Sequence, residues 1–250
     1  MHYAQLGLDP VVAGVWKVTD VRAAFADAGI QVRSGMMGMK GEDYSTLEAI
    51  RETGGVRPTR HWKANLKAAQ GTADAARELG LDLVSFHAGF LPHDPHDPER
   101  GELIDRLRQI ADAFAERDVR VAFETGQETA ETLSGVLDEI DRANVGVNFD
   151  PANMILYAMG DPVEALRVLG PRVFQVHVKD ATSTDTPGTW GAEVPVGTGE
   201  VDWSAFFDVL ADQGLACDLM IEREAGDARV EDMRTARMLL EGLGVVEVKA

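Results

Sequence analysis

The chain alternates short apolar runs with longer amphipathic stretches. Five short runs contain β-branched or aromatic residues and are bounded by turn-forming residues, which predicts strands at residues 83–87, 119–124, 145–150, 173–179 and 218–222. Two earlier strands are predicted at residues 3–8 and 30–37. Between these runs, apolar residues recur at steps of three and four, as is typical of helices that cover a sheet. The pattern therefore predicts seven consecutive β–α units.

Strands that alternate with helices pair in parallel and carry the helices on the faces of their sheet. Seven units in 250 residues fit a barrel or an open doubly wound sheet, but no GxGxxG or GxxxxGK[ST] loop follows a strand, which disfavours a nucleotide-binding sheet. We predict an α/β fold, a TIM-type (β/α) barrel of parallel strands, as a single domain over residues 1–250. Such barrels normally have eight units, so we expect the first β/α unit to be missing or degenerate.

Composition and charge argue against several classes of function. With 42 acidic against 24 basic residues the net charge is −18, which argues against binding to nucleic acid or to an anionic membrane. No run of 18 apolar residues is present, and the first residues lack the pattern of a secretory signal. Cys217 is the single cysteine, so no intramolecular disulfide can form. We expect a cytoplasmic protein without nucleic-acid or membrane partners.

Three connections that follow predicted strands are unusually long: residues 38–59, 88–101 and 181–201. Each is rich in glycine, proline or polar residues, so we expect loops. All three lie at the carboxyl ends of parallel strands, where long loops usually build or cover a functional site.

Four consecutive predicted strands finish with a side chain that can bind a metal ion: Glu124, Asp150, His177 and Glu222. Such side chains converge at one edge of a parallel sheet, and three carboxylates brought together would raise one another's pKa values unless a cation separated them. Three oxygen donors and one imidazole suit Mn²⁺ or Mg²⁺. The alternative is that each acid caps a helix or pairs with a surface base; equivalent positions on successive strands favour the metal site.

Several motifs resemble those of the xylose isomerase-like TIM barrels, which include sugar isomerases, ketose 3-epimerases, inosose dehydratases and relatives of endonuclease IV. The motifs are Phe-Asp-Pro-Ala-Asn-Met at 149–154, His-Val-Lys-Asp at 177–180, Val-Gly-Thr-Gly-Glu-Val-Asp at 196–202 and Ile-Glu-Arg-Glu at 221–224, and the resemblance extends over nearly the whole chain from Ile30 onward.

The resemblance implies one divalent metal ion held by Glu124, Asp150, His177 and Glu222. We favour Mn²⁺ over Mg²⁺, Co²⁺ and Zn²⁺. It also implies that Glu124 and Glu222 are the catalytic acid/base pair. We further expect substrate contacts from residues near the strand ends and in the long connections, namely His87, Asn153, Lys179, Trp190, Arg223 and Glu224.

Two features depart from the family pattern. The family's ligands lie on strands five to eight, whereas here they end the fourth to seventh predicted strands, so the chain resembles the family from its second strand onward. We therefore expect a homo-oligomer, or a second subunit that covers the N-terminal gap. The other departure is Asn153, which stands where the epimerases commonly have histidine.

The chemistry that such a site supports is proton abstraction next to a carbonyl, with an enediolate stabilised by the metal ion. Return of the proton to the same carbon makes an epimerase, and return to the neighbouring carbon makes an isomerase. Loss of a β-hydroxyl group makes a dehydratase, as with inososes. The sequence leaves these three reactions of a sugar or polyol ketone open.

Two other classes remain as rivals. A DNA repair endonuclease of the same superfamily would need more histidine ligands, and both Asn153 and the net charge of −18 oppose it. A non-catalytic sugar-binding or scaffold protein would be consistent with a truncated barrel, but the four intact ligand positions oppose it.

Overall fold

The computed structural model describes residues 2–245. Its main sheet has seven strands: β1 (Tyr3–Gly7), β2 (Gln31–Met36), β3 (Leu83–Phe86), β4 (Arg120–Glu124), β5 (Val145–Phe149), β6 (Val173–Val178) and β9 (Asp218–Ile221). They are hydrogen-bonded in that order. The β1–β2, β2–β3, β3–β4, β5–β6 and β6–β9 pairings are parallel. The sheet thus follows the order of the chain, as successive β–α units require.

Helices follow the strands along the chain: α1 (Asp9–Val12), α2 (Val18–Asp27), α3 (Leu47–Thr53), α4 (Thr59–Leu79), α5 (Pro98–Ala115), α6 (Ala130–Ile140), α7 (Pro151–Leu156), α8 (Pro162–Leu169), α9 (Trp203–Asp212) and α10 (Arg229–Gly242). Acidic side chains cap two of these helices. Asp161 precedes a proline and accepts hydrogen bonds from the backbone N–H groups of Val163 and Glu164, and Asp202 caps α9 in a similar way. None of the helices in residues 2–245 is long and apolar enough to cross a membrane.

One compact unit comprises residues up to 44, 49–124 and 136–146. Its core includes the completely buried strand β3, whose Phe86 packs edge-on against Phe123 of β4 with 5.4 Å between ring centroids. Leu107 and Phe114 of α5 are also fully buried. Burial of this kind is what the continuous apolar runs at β3 and β4 predict.

A second compact unit comprises residues 45–48, 125–135 and those from 147 onward. Its core joins β5 to α9 through Phe149 and Phe206, whose ring centroids are 5.6 Å apart. Trp203, in the first turn of α9, packs edge-on against Phe206. This unit also contains an antiparallel hairpin, β7 (Asp180–Thr182) and β8 (Ala192–Val194).

The seven strands lie where the sequence predicts them, with ends that differ by at most one residue. The expectation of three long loops was wrong in two places. Connection 38–59 contains α3, which Ile50 anchors with a completely buried side chain. Connection 181–201 contains β8, which pairs with β7. Neither element is long enough to produce a clear periodic pattern. The single domain over residues 1–250 stays a prediction.

Candidate metal centre

Three of the predicted ligands meet at the carboxyl ends of neighbouring strands. Asp150 directly follows β5, His177 lies in β6 and Glu222 directly follows β9. His177 Nδ1 lies 3.2 Å from Glu222 Oε2 and 3.7 Å from Asp150 Oδ2. Glu124, the fourth predicted ligand, is the last residue of β4 and lies in the first compact unit. The structure therefore brings three of the four predicted ligands together within the second compact unit.

The two carboxylate oxygens of Asp150 have different surroundings. Oδ1 accepts a hydrogen bond from the backbone N–H of Asn153 at 2.9 Å and caps α7. Oδ2 is buried and has no hydrogen-bond partner among the described residues. A buried carboxylate oxygen without a hydrogen bond is energetically costly. A divalent cation would satisfy this oxygen, so the residues fit a metal ion.

His177 is completely buried and its ring is held by side-chain amides. The Asn148 Nδ2 atom lies 3.0 Å from His177 Nε2, and the Asn148 Oδ1 atom accepts a hydrogen bond from Gln175 at 3.3 Å. Such outer contacts orient a histidine ligand. Here they leave Nδ1 facing the carboxylates of Asp150 and Glu222.

Lys179 places a buried ammonium group at the edge of this cluster. Its Nζ atom lies 3.1 Å from Glu222 Oε2, 3.7 Å from Asp150 Oδ2 and 2.5 Å from Glu224 Oε2. Burial by itself would raise the pKa of Glu222, but the charges and hydrogen bonds of His177 and Lys179 outweigh it and hold the pKa well below the usual carboxyl value. Glu222 is therefore ionised at neutral pH.

His87 lies directly after β3, beside the fourth predicted ligand. Its Nε2 atom is 3.4 Å from Glu124 Oε1, and its Nδ1 atom is buried without a hydrogen-bond partner in the part of the chain that the structure describes. Glu42 interacts electrostatically with His87 and accepts backbone hydrogen bonds from Gly55 and Met39. Burial raises the pKa of Glu42, and those backbone hydrogen bonds and His87 partly offset the rise. Sequence reasoning missed Glu42 because it lies inside a long connection rather than at a strand end.

Asp180 organises the hairpin that follows Lys179. Its buried carboxylate accepts backbone hydrogen bonds from Ala181, Gly197, Gly199 and Val201, and another from the Trp203 indole N–H at 3.1 Å. A Cβ atom on Gly199 would lie 2.1 Å from Asp180 Oδ1, so only glycine fits there. These bonds explain why the motifs at 177–180 and 196–202 occur together.

Three of the remaining predicted substrate contacts, Trp190, Arg223 and Glu224, have side chains that contact other parts of the protein. Trp190 packs edge-on against Tyr157, with ring centroids 4.8 Å apart. Arg223 forms ion pairs with Glu193 at 2.7 Å and Asp232 at 2.9 Å, and Glu224 pairs with Lys179. The backbone N–H of Asn153 bonds to Asp150. Substrate binding by these residues stays a prediction.

Glu128 is a further buried carboxyl group, four residues beyond Glu124 in the connection between β4 and α6. Its side chain is almost completely buried, and desolvation raises its pKa to about 8. Glu128 is thus mainly protonated at pH 7. The sequence gives no signal for this because the polar context of Glu128 is typical of an exposed loop.

The profile of the xylose isomerase-like TIM barrel family matches residues 5–242. The chain therefore belongs to this family, which confirms both the resemblance and the TIM-barrel fold class. A xylose isomerase domain protein from Planctomyces limnophilus is similar in structure, with a TM-score of 0.91 and 32% identity over 97% of this chain and 88% of that chain.

Two characterised relatives match parts of the chain. A 3-dehydroshikimate dehydratase from Bacillus anthracis is 33% identical over 91 residues, which are 35% of this chain and 32% of the relative. An inosose dehydratase from Clostridium botulinum is 25% identical over 148 residues, which are 53% of this chain and 49% of the relative. The chain thus spans about half or less of the length of these two relatives.

Two more distant structures contain metal ions. A xylose isomerase-like TIM barrel protein from Mycobacterium smegmatis was solved with magnesium, with 17% identity, a TM-score of 0.74 and coverage of 98% of this chain and 85% of that chain. The IOLI protein was solved with zinc, at 17% identity, a TM-score of 0.74 and coverage of 97% and 87%. At 17% identity, the similarity to these two structures shows only that the fold is shared.

Replacement of Asp180 by alanine should lower the free energy of unfolding by about 3 kcal/mol, because several buried N–H donors would lose their charged acceptor. Urea unfolding would measure this. Asp161→Ala is the matched control, since its exposed carboxylate accepts two backbone hydrogen bonds and its loss should cost about 1 kcal/mol. An equal loss of unfolding free energy in Asp180→Ala and Asp161→Ala would contradict the role assigned to Asp180.

Glu128→Gln should change how stability depends on pH. The folded-state pKa of Glu128 is raised to about 8, so its contribution to stability is fully present below pH 4.5 and is lost as the pH rises to about 8. Between about pH 5 and about pH 9, the free energy of unfolding of the wild type should fall by about 2 kcal/mol or more relative to that of the variant. The reason is that one pKa unit corresponds to about 1.4 kcal/mol. Urea unfolding across this range would measure the difference. The same pH dependence of stability in Glu128→Gln and in the wild type would contradict the prediction. Glu131→Gln is the control, because Glu131 is exposed and its replacement should leave the pH dependence unchanged.

Proposed function

We propose that this protein is a divalent-metal-dependent isomerase or epimerase that acts on a sugar or a sugar-like polyol ketone. The observation that carries the proposal is the convergence of Asp150, His177 and Glu222, together with the Oδ2 atom of Asp150, which accepts no hydrogen bond within residues 2–245. Family membership supports the same chemistry.

Glu124, Asp150, His177 and Glu222 would hold the metal ion. The oxygen-rich donor set favours Mn²⁺ or Mg²⁺, and relatives with magnesium and zinc support a divalent ion. When bound, such an ion polarises a substrate carbonyl group and so makes the neighbouring C–H more acidic.

The chain's own side chains would move the proton. Glu222 is ionised at neutral pH, so it can accept the proton of the carbon next to the carbonyl. Glu124 is buried with its Oε1 atom 3.4 Å from His87 Nε2, so it can take a proton from a protonated imidazole and pass that proton to the substrate carbon. Lys179, close to both Glu222 and Asp150, supplies positive charge where an oxygen of the substrate becomes negative.

A metal-dependent dehydratase acting on a keto-polyol is the second candidate. The two characterised relatives are both dehydratases, which favours this reaction. Abstraction of the same proton is followed by loss of a β-hydroxyl group instead of reprotonation. The homo-oligomer or second subunit and the cytoplasmic location stay predictions.

Solvent exchange tests the proposed function. The Mn²⁺-loaded protein is incubated in D₂O with a panel of ketoses, aldoses and inososes, and the products are followed by NMR and mass spectrometry. An isomerase or epimerase should incorporate deuterium next to the carbonyl or at the neighbouring carbon. A dehydratase should release water and leave a conjugated ketone.

His177→Ala should abolish the exchange, because it removes the imidazole from the cluster. His96→Ala is the matched control, since His96 is exposed in the connection before α5 and should leave the rate unchanged. Sugar binding without exchange would support a non-catalytic binding protein. Exchange that persists in His177→Ala would contradict the proposed site.

A further inference from the structure

Glu193, in β8, binds the segment that follows the predicted ligand Glu222. Its Oε1 atom accepts hydrogen bonds from Arg223 Nη1 at 2.7 Å and from the backbone N–H of Glu224 at 3.0 Å. Its Oε2 atom accepts one from the backbone N–H of Ala225 at 3.0 Å. One carboxylate thus holds three consecutive residues directly after Glu222.

Arg223 is held from a second side. Its Nε atom donates to Asp232 Oδ2 of α10 at 2.9 Å. The side chains of Arg223 and Glu193 are only 8% and 7% exposed, so this ion pair is shielded from solvent. A buried guanidinium group between two carboxylates has a fixed position, because breaking either pair would leave a buried charge uncompensated.

Glu193 is itself fixed to β7, the short strand that begins directly after Lys179. It pairs with Ala181 in the hairpin, next to Asp180, which follows His177 and Lys179 along the chain. Lys179 and His177 in turn contact Glu222. Glu222 is therefore linked to the segment with His177 and Lys179 in two ways. It contacts both side chains directly, and the residues that follow it are bound by Glu193 of the hairpin.

We propose that Glu193 is a positioning residue for the metal centre. It acts through Arg223 and the backbone of Glu224 and Ala225 to hold Glu222 against His177. Residues that orient ligands in this way typically affect metal affinity by about tenfold or more when they are replaced. This inference rests on the proposed function, because it takes Glu222 as a metal ligand.

A purely structural ion pair would affect folding stability but not the metal ion. Co²⁺ distinguishes the two, because its visible absorption reports ligand number and geometry. The full-length wild type, Glu193→Gln and Arg223→Lys are titrated with Co²⁺, and their thermal unfolding is measured in parallel. Glu139→Gln is the matched control: Glu139 pairs at 2.6 Å with Arg100, whose side chain is 4% exposed, in the first compact unit.

Glu193→Gln should raise the Co²⁺ dissociation constant about tenfold and change the absorption spectrum. Arg223→Lys retains the charge pair and should show a smaller effect, and it tests the inference even if Glu193→Gln does not fold. Glu139→Gln should lower the unfolding temperature without changing affinity or spectrum.

Two results would count against the inference. If Glu193→Gln and Arg223→Lys both bind Co²⁺ with the affinity and spectrum of the wild type, this inference is wrong but the proposed metal centre is not. Glu193 would then have only a structural role. Failure of the wild type to bind Co²⁺ would overturn the proposed metal centre and this inference with it.

Discussion

Carboxylates at the carboxyl ends of neighbouring parallel strands repel one another, and the site is organised around this repulsion. The chain places Asp150, His177 and Glu222 together and adds Lys179 as a buried positive charge. Within the described part of the chain, Asp150 Oδ2 nevertheless lacks a hydrogen bond. A divalent cation would complete the compensation that Lys179 begins, so the proposed metal site accounts for this arrangement better than helix capping alone.

Support for this cluster comes from the connection between β6 and α9. Asp180 binds the backbone of the segment that leads into α9, and the hairpin brings Glu193 against the residues after Glu222. Both carboxylates accept hydrogen bonds from backbone N–H groups, so they fix the path of the chain as well as side-chain positions. The two glutamates thus differ in their roles: Glu222 offers its oxygens to the site, whereas Glu193 uses its oxygens to hold the chain.

The sequence predicts the strands and the polar residues at their ends because both depend on local pattern: β3 is an apolar run, and Asp150 stands directly before Pro151 at a helix start. It does not predict partners that are distant along the chain. Glu193 meets Arg223 across 30 positions, and the burial of Glu128 depends on tertiary packing that its polar neighbours do not indicate. For the same reason, Arg223 and Glu224 looked available to a substrate, although both are engaged by protein side chains.

Metal stoichiometry tests the central claim most directly. The protein is incubated with Mn²⁺, desalted and measured by elemental analysis, beside Asp150→Asn, which keeps the shape of the side chain but removes its charge. The account predicts about one ion per chain for the wild type and little for the variant. No retained ion in the wild type, or equal retention in Asp150→Asn, would contradict it.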